Sequence, residues 1–193
     1  MTPLTNATVF LVQTLFDLYI FVLLVRVILQ YLRASYHNPL CQFVVKLTDP
    51  VVKPFQRFVP GYKGIDIAIL IPIILLQIIE IFLLTWLQAN TIPGLLGAFI
   101  WAIGSLLNQV FNIYFYAIFI WVILSWVSST RYNPANEILY LIISPILKPL
   151  QRTIPPIGHF DISPIVAVIL IKLIDIVFIN TIIAYGVQIA LNQ

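Results

Sequence analysis

Five charged side chains stand inside long apolar runs of this 193-residue chain: Asp17, Arg26, Glu80, Lys172 and Asp175. A charge near the centre of a bilayer costs about 2.5–3.5 kcal/mol on insertion scales, so such residues should face one another rather than lipid. Two kinds of chemistry follow. Fully paired, they are ion pairs that hold helices together. Incompletely paired, they line a polar pathway for a cation or a proton. Lys172 precedes Asp175 by three residues, one helical turn, so that pair can close locally. Arg26 is then the partner expected for Glu80. Glu80 and Asp175 are 95 residues apart, a spacing shared by many other matched residues of the chain, so their carboxyls are expected to face each other across the fold. Gln77 and Asn112 supply hydrogen bonds under either chemistry, and Asp17 is expected near the outer interface.

A second set of charges lies between the apolar runs. Lys53 and Arg57, like Lys148 and Arg152, are four residues apart and would share one face of a helix. Asp49-Pro50 and Ser144-Pro145 read as N-caps followed by proline at the first helical position. The opposite face carries Val51, Phe55 and Phe58 in one stretch, and Ile146 and Leu150 in the other. A short helix lying in the headgroup plane is predicted for each. Pro54 and Pro149 argue that it is broken or kinked, either interfacial or slightly re-entrant. Its basic face would contact lipid headgroups, or a protein partner.

The elements that must position these residues are membrane spans. The chain is 61% hydrophobic and only 9% charged, with a mean hydropathy of +1.04. Soluble domains carry roughly 25% charged residues to cover a wet surface, so the solvent here must largely be lipid. Four runs reach the roughly 20 residues that a helix needs to cross a bilayer: Val9–Leu32, Ile65–Leu87, Leu106–Val127 and Ile162–Ile183. Without water to satisfy an open backbone, they must be helices. The N-terminal residues before Ala7 contain no Lys or Arg, so the first run is expected to be a retained span rather than a cleaved signal. Eight of the ten basic residues (Arg33, Lys46, Lys53, Arg57, Lys63, Arg131, Lys148 and Arg152) fall in the connections after spans one and three. The positive-inside rule places those connections in the cytoplasm and both termini outside. The net charge of +3 therefore reads as anchoring and topology, and no nucleic-acid contact is predicted. The single Cys41 excludes an intrachain disulfide and a cysteine metal cluster.

The spacing of 95 is that of an internal duplication. Asn38-Pro39 returns as Asn133-Pro134, and Pro50, Lys53, Pro54, Gln56, Arg57, Pro60 and Asp66 return as Pro145, Lys148, Pro149, Gln151, Arg152, Pro155 and Asp161. Apolar helices match by chance, but repeated Pro, Lys, Gln and Arg in register do not. Residues 1–95 and 96–193 are thus two helix–loop–helix repeats of one integral membrane domain. Two spans per repeat is an even number, so both copies enter the membrane the same way and are related by an axis along its normal. The fold class expected is an all-α membrane protein of about four transmembrane helices, with a short interfacial segment in each basic loop.

The string from Asn133-Pro134 through Ser144-Pro145, Lys148-Pro149-Leu150-Gln151-Arg152 and Pro155-Pro156 to Asp161-Ile162-Ser163-Pro164 resembles the YggT family, also called YlmG. So does the first copy, with Arg26-Val27-Ile28-Leu29, Asn38-Pro39 and Asp49-Pro50. The resemblance covers nearly the whole chain. The first copy departs from it after Pro60, and the second has Trp121 where the first has Arg26, so the two halves should not act equally. The resemblance implies a small, multi-pass protein of the bacterial inner membrane. It implies either a link to osmotic or ion homeostasis or, by way of a plastid relative, a cofactor-assembly factor for a membrane cytochrome.

No Walker loop, dinucleotide fingerprint or HExxH motif is present, and no Ser or Cys sits in a recognisable catalytic motif, so no enzyme is expected. His37 and His159 lie in the basic loops at non-equivalent positions. Haem ligation by either is conceivable through the plastid relative, but a loop histidine is far more often simply solvated, and no cofactor or metal is expected. The leading expectation is a membrane scaffold or assembly factor whose repeated basic loops dock a membrane or cytoplasmic protein. The alternative is an ion or small-solute conduit, which would call for a homo-oligomer because four helices enclose little pore.

Overall fold

Each apolar run does become a helix, since only a helix satisfies its own backbone in lipid. The computed structural model describes residues 3–57, 66–127, 133–154 and 161–192. Four segments are long and apolar enough to cross a bilayer. The first is α1 (Pro3–Tyr31). The second, Ile67–Ala89, is one 3₁₀ turn (Ile67–Ile69) running into α3 (Leu70–Ala89). The third belongs to α4 (Leu95–Val127). The fourth, Ser163–Leu191, comprises α6 (Ser163–Ile174), a π-helical turn (Asp175–Ile179) and α7 (Asn180–Leu191). Their mean hydropathies run from 1.7 to 2.8. Between the spans of each half lies one further helix, α2 (Pro39–Gln56) or α5 (Pro134–Thr153), and no strand occurs among the described residues.

The multi-pass, all-helical architecture agrees with expectation; several boundaries do not. The third span begins eleven residues before the predicted Leu106, because Gly97 and Gly104, which resemble a connection in sequence, instead pack within the membrane against the last helix. The connection between α3 and α4 is correspondingly tight. Asn90 ends α3 in the left-handed conformation at φ 52°, and Gly94 N–H donates to Ala190 O at 2.9 Å.

The loop helices are also longer than predicted, at 18 and 20 residues, and they start elsewhere. Asn38 Oδ1 accepts from Leu40 N–H at 3.0 Å and Asn133 Oδ1 from Ala135 N–H at 2.9 Å, with Pro39 and Pro134 at the first helical positions. The Asn-Pro pairs are therefore the N-caps. Asp49-Pro50 and Ser144-Pro145 lie inside their helices. Helix survives these interior prolines because all four sit on the exposed side, where water or headgroups can serve the freed carbonyls. Ser144 Oγ meets one internally, donating at 3.1 Å to Leu141 O, the carbonyl Pro145 leaves without its usual partner.

The core sits at the end of the bundle nearer the loop helices. Ile20, Leu23 and Ile28 of α1 meet Ile69 and Ile73 at the start of the second span, Ile113 and Ile118 of α4, and Ile171 of α6. Cys41 and Val52 of α2, and Ile142, Ile143 and Leu147 of α5, close this core from the loop side. The buried stripes that seat α2 and α5 thus differ from the predicted apolar face. Val51, Phe55, Ile146 and Leu150 are only half-buried, and Phe58 lies outside the described residues. Away from the core, Phe10, Leu15, Leu18, Ile165, Ile169 and Leu173 are exposed, which gives the spans an apolar outer surface for lipid.

Candidate functional site

Lys53, Arg57, Lys148 and Arg152 are all exposed, on the outer side of the seated helices α2 and α5. Lys53 Nζ pairs with Asp49 Oδ2 at 2.9 Å across one helical turn, and Lys148 Nζ lies 5.8 Å from the centroid of the Tyr140 ring. The two helices meet at their starts: Asn38 Nδ2 donates to Pro134 O at 3.0 Å and to Glu137 Oε2 at 3.2 Å. Of the other basic loop residues, Arg33 and Lys46 are also exposed, while Lys63 and Arg131, and also His159, lie outside the described residues.

Most of the repeated polar motif is structural. Gln56 donates to Asp66, and Gln151 Nε2 donates to Asp161 Oδ2 at 2.7 Å, so each pair ties the end of a loop helix to the start of the next span. Asp66 Oδ1 accepts from Ala68 N–H at 3.2 Å and Asp161 Oδ1 from Ser163 N–H at 2.9 Å, capping those spans. Asn38, Pro39, Asn133 and Pro134 begin the loop helices, and Pro50 and Pro145 lie on their exposed sides.

Arg26 does not meet Glu80. Its Nη1 donates to Thr48 Oγ1 at 2.7 Å, Asp49 Oδ1 at 2.8 Å and Val45 O at 3.3 Å. The reason is position: Arg26 lies near the loop end of α1, where a guanidinium can reach α2 rather than the bundle centre. Asp49 is therefore shared by two cations. Burial pushes its carboxyl up, but the bonds from Lys53 and Arg26 outweigh this and hold it below the usual carboxylate range. A depressed folded value means that the contribution is complete above the unfolded value of about 4 and is lost as pH falls through the folded one. Docking of α2 should therefore be full at neutral pH and weaken in acid. Proteolytic cleavage within α2 should rise between pH 5 and 3 in the wild type, and Asp49→Asn should flatten that rise. The sign holds only if cleavage is corrected for protease activity at each pH, with α5, which has Ser144 in place of Asp49, as internal reference.

The second half replaces this ionic contact. Trp121 stands at the position of Arg26 and Ser144 at that of Asp49, and Trp121 packs on Tyr140 with ring centroids 5.5 Å apart. Cys41, beside a cavity of about 100 Å³ between α1, α2 and the start of the second span, is buried. Burial, and secondarily the Glu137 charge, push its thiol above the ordinary value, which makes it a poor nucleophile. His37 is exposed.

Within the spans, Lys172 and Asp175 do pair, at 3.4 Å. Lys172 Nζ also donates to Asn112 Oδ1 at 3.0 Å and lies 4.5 Å from the centroid of the Phe115 ring. Asn108 Nδ2 donates to Asp175 Oδ1 at 2.6 Å, and Asn112 Nδ2 to Asn108 Oδ1 at 2.8 Å. Asp175 opens the π-helical turn, a local widening often found at functional positions. Glu80, only 3% exposed, accepts from Gln77 Nε2 at 2.8 Å on its own helix. Glu80 and Asp175 thus each close a separate cluster rather than facing one another. Asp17 is the middle residue of α1, and its Oδ1 accepts from Gln109 Nε2 at 2.7 Å.

Gln13, Asn108 and Gln109 were not among the residues predicted to matter. The signal for two of them was available in the repeat: Gln13 and Asn108 are 95 apart, as are Asp17 and Asn112, Gln77 and Lys172, and Glu80 and Asp175. Polar residues thus recur at four matched positions in the spans of the two halves.

Comparison with known proteins locates the same two halves. A family model described as CCB3/YggT matches residues 5–87 and again residues 100–182. A Pseudomonas aeruginosa protein described as uncharacterized protein PA0392 is 38% identical over 185 residues, covering 95% of this chain and 94% of that one. An uncharacterized protein encoded in the proC 3′ region of Vibrio alginolyticus is 35% identical over 162 residues, 83% of this chain and 87% of the relative. Uncharacterized protein YggT of Escherichia coli is 34% identical over 174 residues, 88% of each. No solved structure matches the chain at a significant level.

Proposed function

Because this chain belongs to the CCB3/YggT family along both of its halves, we propose that it is a non-enzymatic, multi-pass scaffold or assembly factor of a bacterial inner membrane. It acts through α2 and α5. The observation that carries this reading is the seating of those helices: buried side chains and the Gln–Asp ties fix them to the bundle, while Lys53, Arg57, Lys148 and Arg152 stay exposed at equivalent positions. Headgroup anchoring needs basic residues, but it does not need them on two rigidly held helices. A rigid, doubled basic surface suits an acidic segment of a membrane or cytoplasmic protein. On the positive-inside rule this end faces the cytoplasm and both termini face outward.

The test is a variant carrying Arg57→Glu, Lys148→Glu and Arg152→Glu, with Lys53→Gln to avoid placing a second acid against Asp49. Insertion and the unfolding midpoint should stay near wild type, because these side chains are exposed. Recovery of in vivo cross-linked partners should fall at least about tenfold, the effect of roughly 1.4 kcal/mol. Unchanged partner recovery and phenotype in this variant would remove the basic surface from the function.

A further inference from the structure

The two halves carry polar residues at matched positions of their spans, but with different charges. In the second half, Asp175 is matched by the ammonium of Lys172 at 3.4 Å, and Asn108 and Asn112 complete the hydrogen bonds around them. In the first half, the position of Lys172 is held by the neutral Gln77, and that of Asn112 by a second carboxyl, Asp17. The first cluster therefore has two carboxyls, Asp17 on α1 and Glu80 on α3, two spans that pack against each other. Among the described residues, no basic side chain bonds either one, since Arg26 is committed to Thr48, Asp49 and Val45.

Two amides add an independent observation. Gln77 is 96% buried, being 4% exposed; its amide nitrogen serves Glu80, and its Oε1 is buried without a partner. Gln109 serves Asp17 in the same way and likewise leaves Oε1 buried without a partner. A buried acceptor with no donor is costly in low dielectric. Two carboxyls and two amide oxygens form an all-oxygen donor set, the kind that hard cations take.

We propose that a monovalent alkali cation binds between Asp17, Gln77 and Glu80 of the first half and Gln109 of the second, in the place equivalent to the one where the second half carries its own ammonium on Lys172. The single charge follows from the repeat, because one positive charge is what the equivalent cluster holds. The amide oxygens of Gln77 and Gln109 then coordinate the ion while their nitrogens stay on the carboxyls. The inference is independent of the scaffold reading: it concerns the centre of the spans rather than α2 and α5.

The experiment is thermal unfolding of the purified full chain in detergent at pH 7.5, in choline chloride against potassium chloride or sodium chloride at equal ionic strength. In the wild type, one of the alkali salts should raise the midpoint saturably, by about 4 °C or more. Glu80→Gln should lose that response, and Asp175→Asn, in the other cluster, should keep it. Gln77→Lys supplies the second half's ammonium to the first half. It should unfold in choline at the midpoint the wild type reaches with bound cation, and should no longer respond to either salt. A wild-type midpoint identical in choline, sodium and potassium would overturn the proposal. So would a response confined to divalent cations or to pH, since the cluster would then hold a different ion or only protons. Because Gln77→Lys adds a charge that can be stabilising, failure of Glu80→Gln to fold would leave that variant to decide.

Discussion

Replacing Arg26 by alanine is expected to release α2 from the bundle and to lower the unfolding free energy by about 2–3 kcal/mol. Arg26 is 8% exposed and its guanidinium supplies three hydrogen bonds, two of them to side chains of α2. Without it, Asp49 keeps only Lys53, whose side chain is 67% exposed and therefore holds the carboxylate weakly. Thr48 still has an acceptor in Val44 O at 2.7 Å, so the penalty comes mainly from Asp49. Arg26→Lys should fall between the two: all three bonds leave the single atom Nη1, and an ammonium can also serve several acceptors, but the lysine side chain is one bond shorter and its ammonium is more strongly hydrated.

The chain itself suggests a rescue. The second half seats α5 without any such ion pair, using Trp121 against Tyr140, with Ile143 and Ser144 in place of Thr48 and Asp49. Arg26→Trp with Thr48→Ile and Asp49→Ser should therefore recover a good part of what Arg26→Ala loses, while Arg26→Trp alone should not, as it strands the carboxylate. Unfolding midpoints in detergent and protease cleavage within α2 measure both effects. A wild-type midpoint and an uncleaved α2 in Arg26→Ala would mean that the buried stripe of Cys41, Thr48 and Val52 seats the helix by itself.

That exchange of Arg26 and Asp49 for Trp121 and Ser144 also marks how far the sequence could be read. The spans were legible because length and hydropathy suffice to identify a bilayer crossing. The repeat was legible because Pro, Gln and Asp in register cannot come from hydropathy alone. The partner of Arg26 was misassigned because proximity within the membrane was assumed, yet the copies held the answer. Both charges disappear together between the halves, which is covariation inside one chain. The start of α2 was misplaced because Asp49-Pro50 and Asn38-Pro39 both satisfy the rules for an N-cap followed by proline. Only the buried face decides between them. The contacts of Asp17 and Asp175 went unread because Gln109 and Asn108 carry no charge, and neutral amides do not stand out in an apolar run until the tertiary packing aligns them.

The second large effect is expected at glycines whose importance hydropathy hides. Gly97→Ala and Gly186→Ala should each destabilise the protein by about 3 kcal/mol, because α4 and α7 approach there backbone to backbone. A Cβ at Gly97 would stand 2.2 Å from Ala190 N, and one at Gly186 would stand 2.5 Å from Trp101 N. Neither obstacle is a side chain that can turn aside, so the helices must separate. Separation would shift the π-helical turn that presents Asp175 to Asn108. Gly104 provides the control. Its nearest obstacle is the side-chain atom Ile183 Cγ1 at 2.7 Å, and the nearest backbone atom, Ile183 N, stands farther off at 3.2 Å, so Gly104→Ala should cost less than either of the other two. Unfolding midpoints of the three variants should therefore rank Gly104→Ala nearest to wild type, with Gly97→Ala and Gly186→Ala well below it. Equal midpoints for all three would mean that α4 and α7 adjust freely. The second half would then lack the rigid pairing that holds Lys172 and Asp175 in register with α4.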